Sequence, residues 1–230
     1  MKKILLIGGS VLGIFLIVAL LIGGYFGLVP IFSSVMGATK PQDLGVTYTQ
    51  QNADDFNEKA KVAIETVSSA SPSESLTFKG TQKVDTTFTQ EEISARLQYD
   101  PWIYSLVENT QVRINDDGTV EVSGNIALDK IDEFIQASGY SITQEQVQQY
   151  VTYLERIKVK PAIYIKGKPS VKDDVAKAGF IEARVANFTI TADQYNSGEL
   201  LDEWANTLLQ SVDGANLDSV SFDENGANLK

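Results

Sequence analysis

Three hydrophobic patterns follow one another along the chain. From Ile4 to Phe32 there are 29 consecutive residues without a charge, most of them Leu, Ile, Val, Phe and Gly. About 20 such residues cross a bilayer core as a helix, so the run predicts a transmembrane helix with some tilt. Next, Phe56, Ala60, Ala63, Ile64 and Val67 recur at helical spacing and predict a first amphipathic helix over 53–68, with Asn52 as a possible cap. Beyond that the period drops to two. Val112 and Ile114 alternate with polar residues, Asp116-Asp117-Gly118 turns the chain, and Val120 and Val122 alternate again, which predicts a β-hairpin.

Further strands are predicted at Val84–Phe88, Ala162–Lys166, Phe180–Phe188 and Leu217–Phe222. Asp223-Glu224-Asn225-Gly226 then reads as a turn before a final short strand. Further helices are predicted around Ile131–Ile135, Val147–Leu154 and Leu200–Val212 from their apolar spacing. Three segments share the form apolar, Thr, two polar or small residues, Glu or Gln, apolar: 88–93, 142–147 and 190–195. Thr at the N-cap with Glu or Gln three residues on is a capping box, and the flanking apolar pair is a hydrophobic staple. Each segment therefore predicts a helix start. The unequal spacings, 54 and 48 residues between the threonines, argue against a true internal repeat.

Together these elements predict an α+β chain: an N-terminal transmembrane helix, then one domain of mostly antiparallel sheet with helices packed on one face. The organisation is residues 1–32 as cytoplasmic N-terminus and signal anchor, 33–52 as a tether bearing Gly37, Pro41 and Gly45, and 53–230 as an extracytoplasmic domain. About 180 residues suffice for one well-buried core.

Charge sharpens that division. Residues 1–40 hold Lys2, Lys3 and Lys40 and no acid, so 16 basic and 30 acidic residues leave 41–230 at −14. Such a surface repels phosphate backbones, which argues against a nucleic-acid partner. The chain has no Cys and no His, which removes disulfides, thiolate nucleophiles, imidazole bases and the usual zinc sites. No cofactor is expected, and the chain is not read as an enzyme.

A cleavable signal peptide is the alternative to an anchor, because Lys2 and Lys3 form a proper basic start. Its apolar core should run roughly 7–15 residues, about half the length seen here. Met36 is also awkward just before the best cut, after Ala38. Positive charge at the amino end places that end in the cytoplasm and everything after Phe32 outside. Within the run, Gly9 with Gly13 and Gly23 with Gly27 form two GxxxG pairs four helical turns apart, on one face. Small residues on one face allow a homodimer, although Gly is also common in membrane helices.

Candidate chemistry is sparse. Asp116-Asp117 and Asp173-Asp174 are carboxylate pairs, but turns favour Asp, and no further ligands converge on them in the sequence. Asn187-Phe188-Thr189 matches a glycosylation acceptor inside a predicted strand. The cluster Tyr99, Trp102 and Tyr104 suits either the lip of a groove or a core edge, because Tyr and Trp favour sites with one wet and one apolar end.

The segment Pro41-Gln42-Asp43-Leu44-Gly45-Val46-Thr47-Tyr48-Thr49 resembles a P-x-D-L-G-V-x-Y-T segment of single-span bacterial envelope proteins. The hairpin Val112–Gly124 and the stretch Ala162–Val171 resemble further hallmarks of that group, in the same order. More distantly, the domain is similar to the envelope lipid-binding domains called LmeA-like or YpmS-like. It departs from them at Ala186–Thr191, where the related pattern has a Gly-Arg pair and a Pro. The resemblance implies a long curved sheet with an apolar groove for lipid and carries no catalytic motif. The expected function is thus a membrane-anchored binding module, with Trp102, Tyr104, Ile163, Ile165 and Trp204 as groove candidates. The competing expectation is a structural or interaction module of the cell envelope without a small ligand.

Overall fold

The computed structural model of the chain describes residues 34, 36–61, 63–66, 71, 76–79, 85–99, 102, 104–130, 133, 136, 159–194, 198–199, 201–203, 205–206 and 218–230. Among these no helix is long and apolar enough to cross a membrane; the run 4–32 lies outside them. So do the helix expected at Val147–Leu154, the second capping box, Trp204 and, apart from helical Glu133, the helix expected at Ile131–Ile135.

The described architecture is α+β and dominated by antiparallel sheet. In chain order it runs α1 (Gln50–Ala60), β1 (Ala63–Thr66), β2 (Leu76–Lys79), β3 (Thr86–Phe88), α2 (Gln90–Gln98), β4 (Val107–Ile114) and β5 (Val120–Ile126). Then come β6 (Ala162–Gly167), β7 (Ser170–Lys172), β8 (Val175–Lys177), β9 (Phe180–Val185), β10 (Phe188–Thr191), β11 (Ser219–Asp223) and β12 (Gly226–Leu229). Two five-stranded sheets form, ordered β10-β9-β6-β5-β4 and β3-β12-β11-β7-β8, beside the β1-β2 ribbon. The resemblance implied one long curved sheet; instead β6 runs through Lys168-Pro169 directly into β7 of a second sheet.

The first sheet has two chemically different faces, set by strand alternation. One carries the paired rows Val112, Val122, Ile165, Ala183, Ile190 and Ile163, Val185, Phe188. The other carries Gln111, Ser123, Tyr164, Arg184, Thr189 and Arg113, Glu121, Lys166, Glu182, Thr191.

Residues 36–48 cross this second, polar face, which corrects their reading as a tether. Ala38, Leu44 and Val46 are 0%, 5% and 4% exposed, and Leu44 and Val46 cluster with Tyr164 and Tyr48. Backbone and side chains fix the path of this strap. Ala162 N donates to Ala38 O (2.8 Å), Asn125 Nδ2 to Thr39 O (2.9 Å), and Arg184 to Gln42 Oε1. Farther along, Leu44 N donates to Gln111 Oε1 (2.6 Å) and the Tyr48 hydroxyl to Thr110 O (2.7 Å). A tether has no such reason to give up its conformational freedom; here buried apolar side chains and paired polar groups offset that loss.

Several boundaries move for local reasons. Helix α1 starts after Thr49 and not Asn52, and Asn52 Oδ1 accepts from Thr49 N. It ends at Ala60 because Lys61 turns left-handed (φ 53°), so Ala63 and Ile64 join β1 and not the helix. The capping box at Thr89 forms as expected: Glu92 N donates to Thr89 Oγ1 and Thr89 N to Glu92 Oε2. At Thr191 half of the same box forms, with Thr191 N donating to Gln194 Oε1 (3.1 Å); Thr191 closes β10, its hydroxyl bonds Asp193, and residues 192–194 turn. The strand expected through Phe188 is a hairpin instead, because Ala186 adopts φ 55° and reverses the chain between β9 and β10.

Candidate functional site

The residues singled out for a groove separate into three groups. Ile163 and Ile165 stand on the apolar face of β6, as their alternation requires, and both are half-buried. Trp102 lies in the loop that leads into β4, 8% exposed, with its ring edge-on to Tyr104 at 6.0 Å between centroids. That loop enters the sheet at the end where Ile163 sits, since Val107 and Ile126 pair there. Trp204 lies outside the described residues.

Burial across the apolar face is graded. Val112 and Val120, near the β4 edge, are 3% and 9% exposed. Val122, Ile163, Ile165, Ala183, Val185 and Ile190 are only half-buried, and Phe188 on the terminal strand β10 is 45% exposed. This is a contiguous apolar surface that deepens toward β4 and opens toward β10.

The opposite face is electrostatically closed. The Tyr164 hydroxyl donates to Glu121 Oε2 (3.0 Å), and the Arg184 guanidinium lies 4.3 Å over the Tyr164 ring. Asn115 Nδ2 donates to Glu121 Oε1 (2.9 Å), and Lys166 Nζ stands 3.9 Å from the same oxygen. Burial first, then the hydrogen bond to Glu121 and the charges of Glu121 and Glu182, push the phenol up to about 12, while Arg184 pulls the other way. The group stays protonated at neutral pH and serves as a buried donor, a poor nucleophile or base.

Two of the clefts among the described residues are charged. One of about 750 Å³ lies between the start of α2, the hairpin Asn115–Thr119 and the turn at Glu224-Asn225, and includes Glu91, Arg113, Asp116, Asp117, Glu121 and Lys166. The other, about 480 Å³, is lined by α1 residues, Asp85, Thr86 and Glu92. Asp116 and Asp117 do turn work: Asp117 accepts from both the backbone and hydroxyl of Thr119, which hold its carboxyl below the usual range. Asp173 and Asp174 (φ 51° and 61°) form the two-residue turn between β7 and β8. Among the described residues, no group of three His, Cys, Asp or Glu side chains is placed to hold a metal.

What the sequence pattern missed is how the sheet edges are closed. Gln90, Ser94 and Gln98, one stripe of α2, bond the outward backbone of β4: Ile114 N donates to Gln90, Val112 N to Ser94 and Thr110 N to Gln98. On the second sheet Asp202 and Asn206 do the same for β8, accepting from Ala178 N and Ala176 N. The four-residue spacing of these polar residues was visible in the sequence; their strand partners were not.

Comparison with family models, with curated proteins and with solved structures gives no significant match to this chain.

Proposed function

We propose that the chain is a membrane-anchored, extracytoplasmic binding module that holds a lipid or another apolar ligand on the apolar face of its first sheet. The anchor is the uncharged run 4–32, with Lys2 and Lys3 on the cytoplasmic side. The observation that carries the reading is the graded face: six apolar side chains on four neighbouring strands keep part of their surface exposed beside buried Val112 and Val120. Contiguous exposed apolar surface of this kind marks a binding site more often than a resting surface. Ile163 and Ile165 line it, Trp102 and Tyr104 flank its end, and no catalytic step is assigned. The resemblance to envelope lipid-binding domains points the same way.

A second reading, an envelope interaction module without a small ligand, draws on the charged linings of both clefts. In that case the apolar face meets protein.

Native mass spectrometry separates the two readings. The fragment should begin at Ser34, so that the strap is kept, and be purified from a bacterial host without detergent. A co-purifying lipid at near one per chain, lost when Ile163 and Ile165 are both changed to Asp in a still-folded chain, supports the binding module. An apo mass that added phospholipid leaves unchanged overturns it.

A further inference from the structure

The strap decides which end of the domain lies near the membrane. Met36, only four residues beyond Phe32, is already fixed: Asn187 Nδ2 donates to Met36 O (3.3 Å), and Ala38 is fully buried and bonded to Ala162. Six residues from Phe32 to Ala38 reach at most roughly 20 Å even when fully extended. The end of the first sheet that holds the start of β6, the end of β5 and the β9–β10 turn is therefore confined to within that distance of the end of the apolar run.

The chemistry of the two ends differs in a way that suits this placement. The near end exposes Met36 (38%) and Phe188 (45%) and carries the exposed residues Lys40 and Lys160. Lys160 shares its charge with Glu108, both oxygens lying 2.6 Å from Nζ. The far end carries exposed Asp116, Asp117 and Glu224 together with exposed Arg113 and Lys168. Lysines beside exposed apolar side chains suit the near end to an anionic leaflet, whereas the mixed charges of the far end offer it no such match.

We propose that the near end, with Met36, Lys40, Lys160 and Phe188, rests on the outer leaflet and holds the domain in one orientation. This rests on the proposed reading of 4–32 as an anchor. Phe188 is also the open end of the apolar face, since it pairs with Val185 beside Ile163. Seated this way, the face meets lipid at its β10 side, and an acyl chain reaches it without crossing open water.

The chain has no cysteine, so single-cysteine reporters are clean. The full chain carrying Phe188→Cys or Asp116→Cys is labelled with a fluorophore and placed in vesicles of phosphatidylcholine and phosphatidylglycerol containing a headgroup nitroxide. Lys40→Cys serves as a second near-end reporter should Phe188→Cys fail to fold. Several-fold stronger quenching at the near end is expected. Equal quenching at both ends, or stronger quenching at Asp116→Cys, in a chain that survives an alkaline wash on the vesicles, overturns the orientation and leaves the anchor standing. Loss of the chain in that wash overturns the anchor and the orientation together.

Discussion

Ser94 and Val112 satisfy each other across the edge of the first sheet: Val112 N donates to Ser94 Oγ at 2.8 Å, and the Ser94 hydroxyl donates to Val112 O at 3.3 Å. Both residues are buried. The match extends along the edge because four residues of helix advance about 6 Å, and two residues of strand advance about 6.8 Å. Gln90, Ser94 and Gln98 thus stay in step with Ile114, Val112 and Thr110. A strand edge that would otherwise pair with another chain is closed by helix side chains.

Ser94→Ala is therefore expected to cost about 1–3 kcal/mol, since it orphans a buried N–H. Ser123 is an equally buried serine, yet its hydroxyl has no hydrogen-bond partner among the described residues. Ser123→Ala should be neutral or slightly stabilising. Urea denaturation of both variants checks the pair, and equal losses would contradict the assignment.

The strap gives a second test. Leu44→Ala and Val46→Ala remove side chains buried against Tyr164. Losses of about 2–4 kcal/mol for Leu44→Ala and somewhat less for Val46→Ala are expected by the usual cost of emptying a packed site. A tether would tolerate both changes, so unchanged midpoints in denaturant would return residues 36–48 to that role.

How much of this could be read in advance follows from how local each signal is. The hairpin Val112–Val122 and the capping box at Thr89 depend on neighbours within a few residues, and both form. Thr191 carries the same signature, but Asp193 captures its hydroxyl, a competition the motif does not record. The β7–β8 turn uses Asp at both left-handed positions, and Ala186 turns β9 into β10. Neither residue is the Gly or Asn-Gly that marks such turns. Pro41 and Gly45 made the strap look like a linker, while the alternation of Leu44, Val46 and Tyr48 held the contrary signal. Ile163 and Ile165 were legible as a shared face by alternation. That this face stays half-open depends on long-range packing, which no local pattern encodes.

Gly124 offers a third test, at the irregular part of β4. Two residues there, Asn109 and Thr110, oppose the one glycine, Asn109 adopts φ 52°, and a Cβ on Gly124 would come within 2.8 Å of Glu108 O. The register shift is a β-bulge whose crossing point has room only for a glycine. Gly124→Ala should destabilise by about 1–3 kcal/mol through backbone displacement, whereas Asn109→Gly keeps that φ readily and loses only the hydrogen bond from Asn109 Nδ2 to Asn125 Oδ1, about 1 kcal/mol. Thermal melts of the two variants decide whether the close approach or the left-handed residue limits the site.

Tyr164 makes the last test a matter of pH. Its phenol ordinarily titrates at 10.0 and is pushed up to about 12 in the fold, mainly by burial and by the hydrogen bond to Glu121. The fold thus favours the protonated form. That contribution is fully present below pH 10 and is lost as the pH rises from 10 toward 12. Two pH units correspond to about 2–3 kcal/mol. Tyr164→Phe keeps the ring beneath Arg184, and Asn115 still donates to Glu121, so the variant should fold. Its stability, measured by denaturant at a series of pH values, should fall less steeply than wild type between pH 10 and 12, so the gap between the two chains narrows there. A gap that stays constant through that window would mean that the phenol titrates normally, and that the Glu121 contact contributes nothing that depends on its proton.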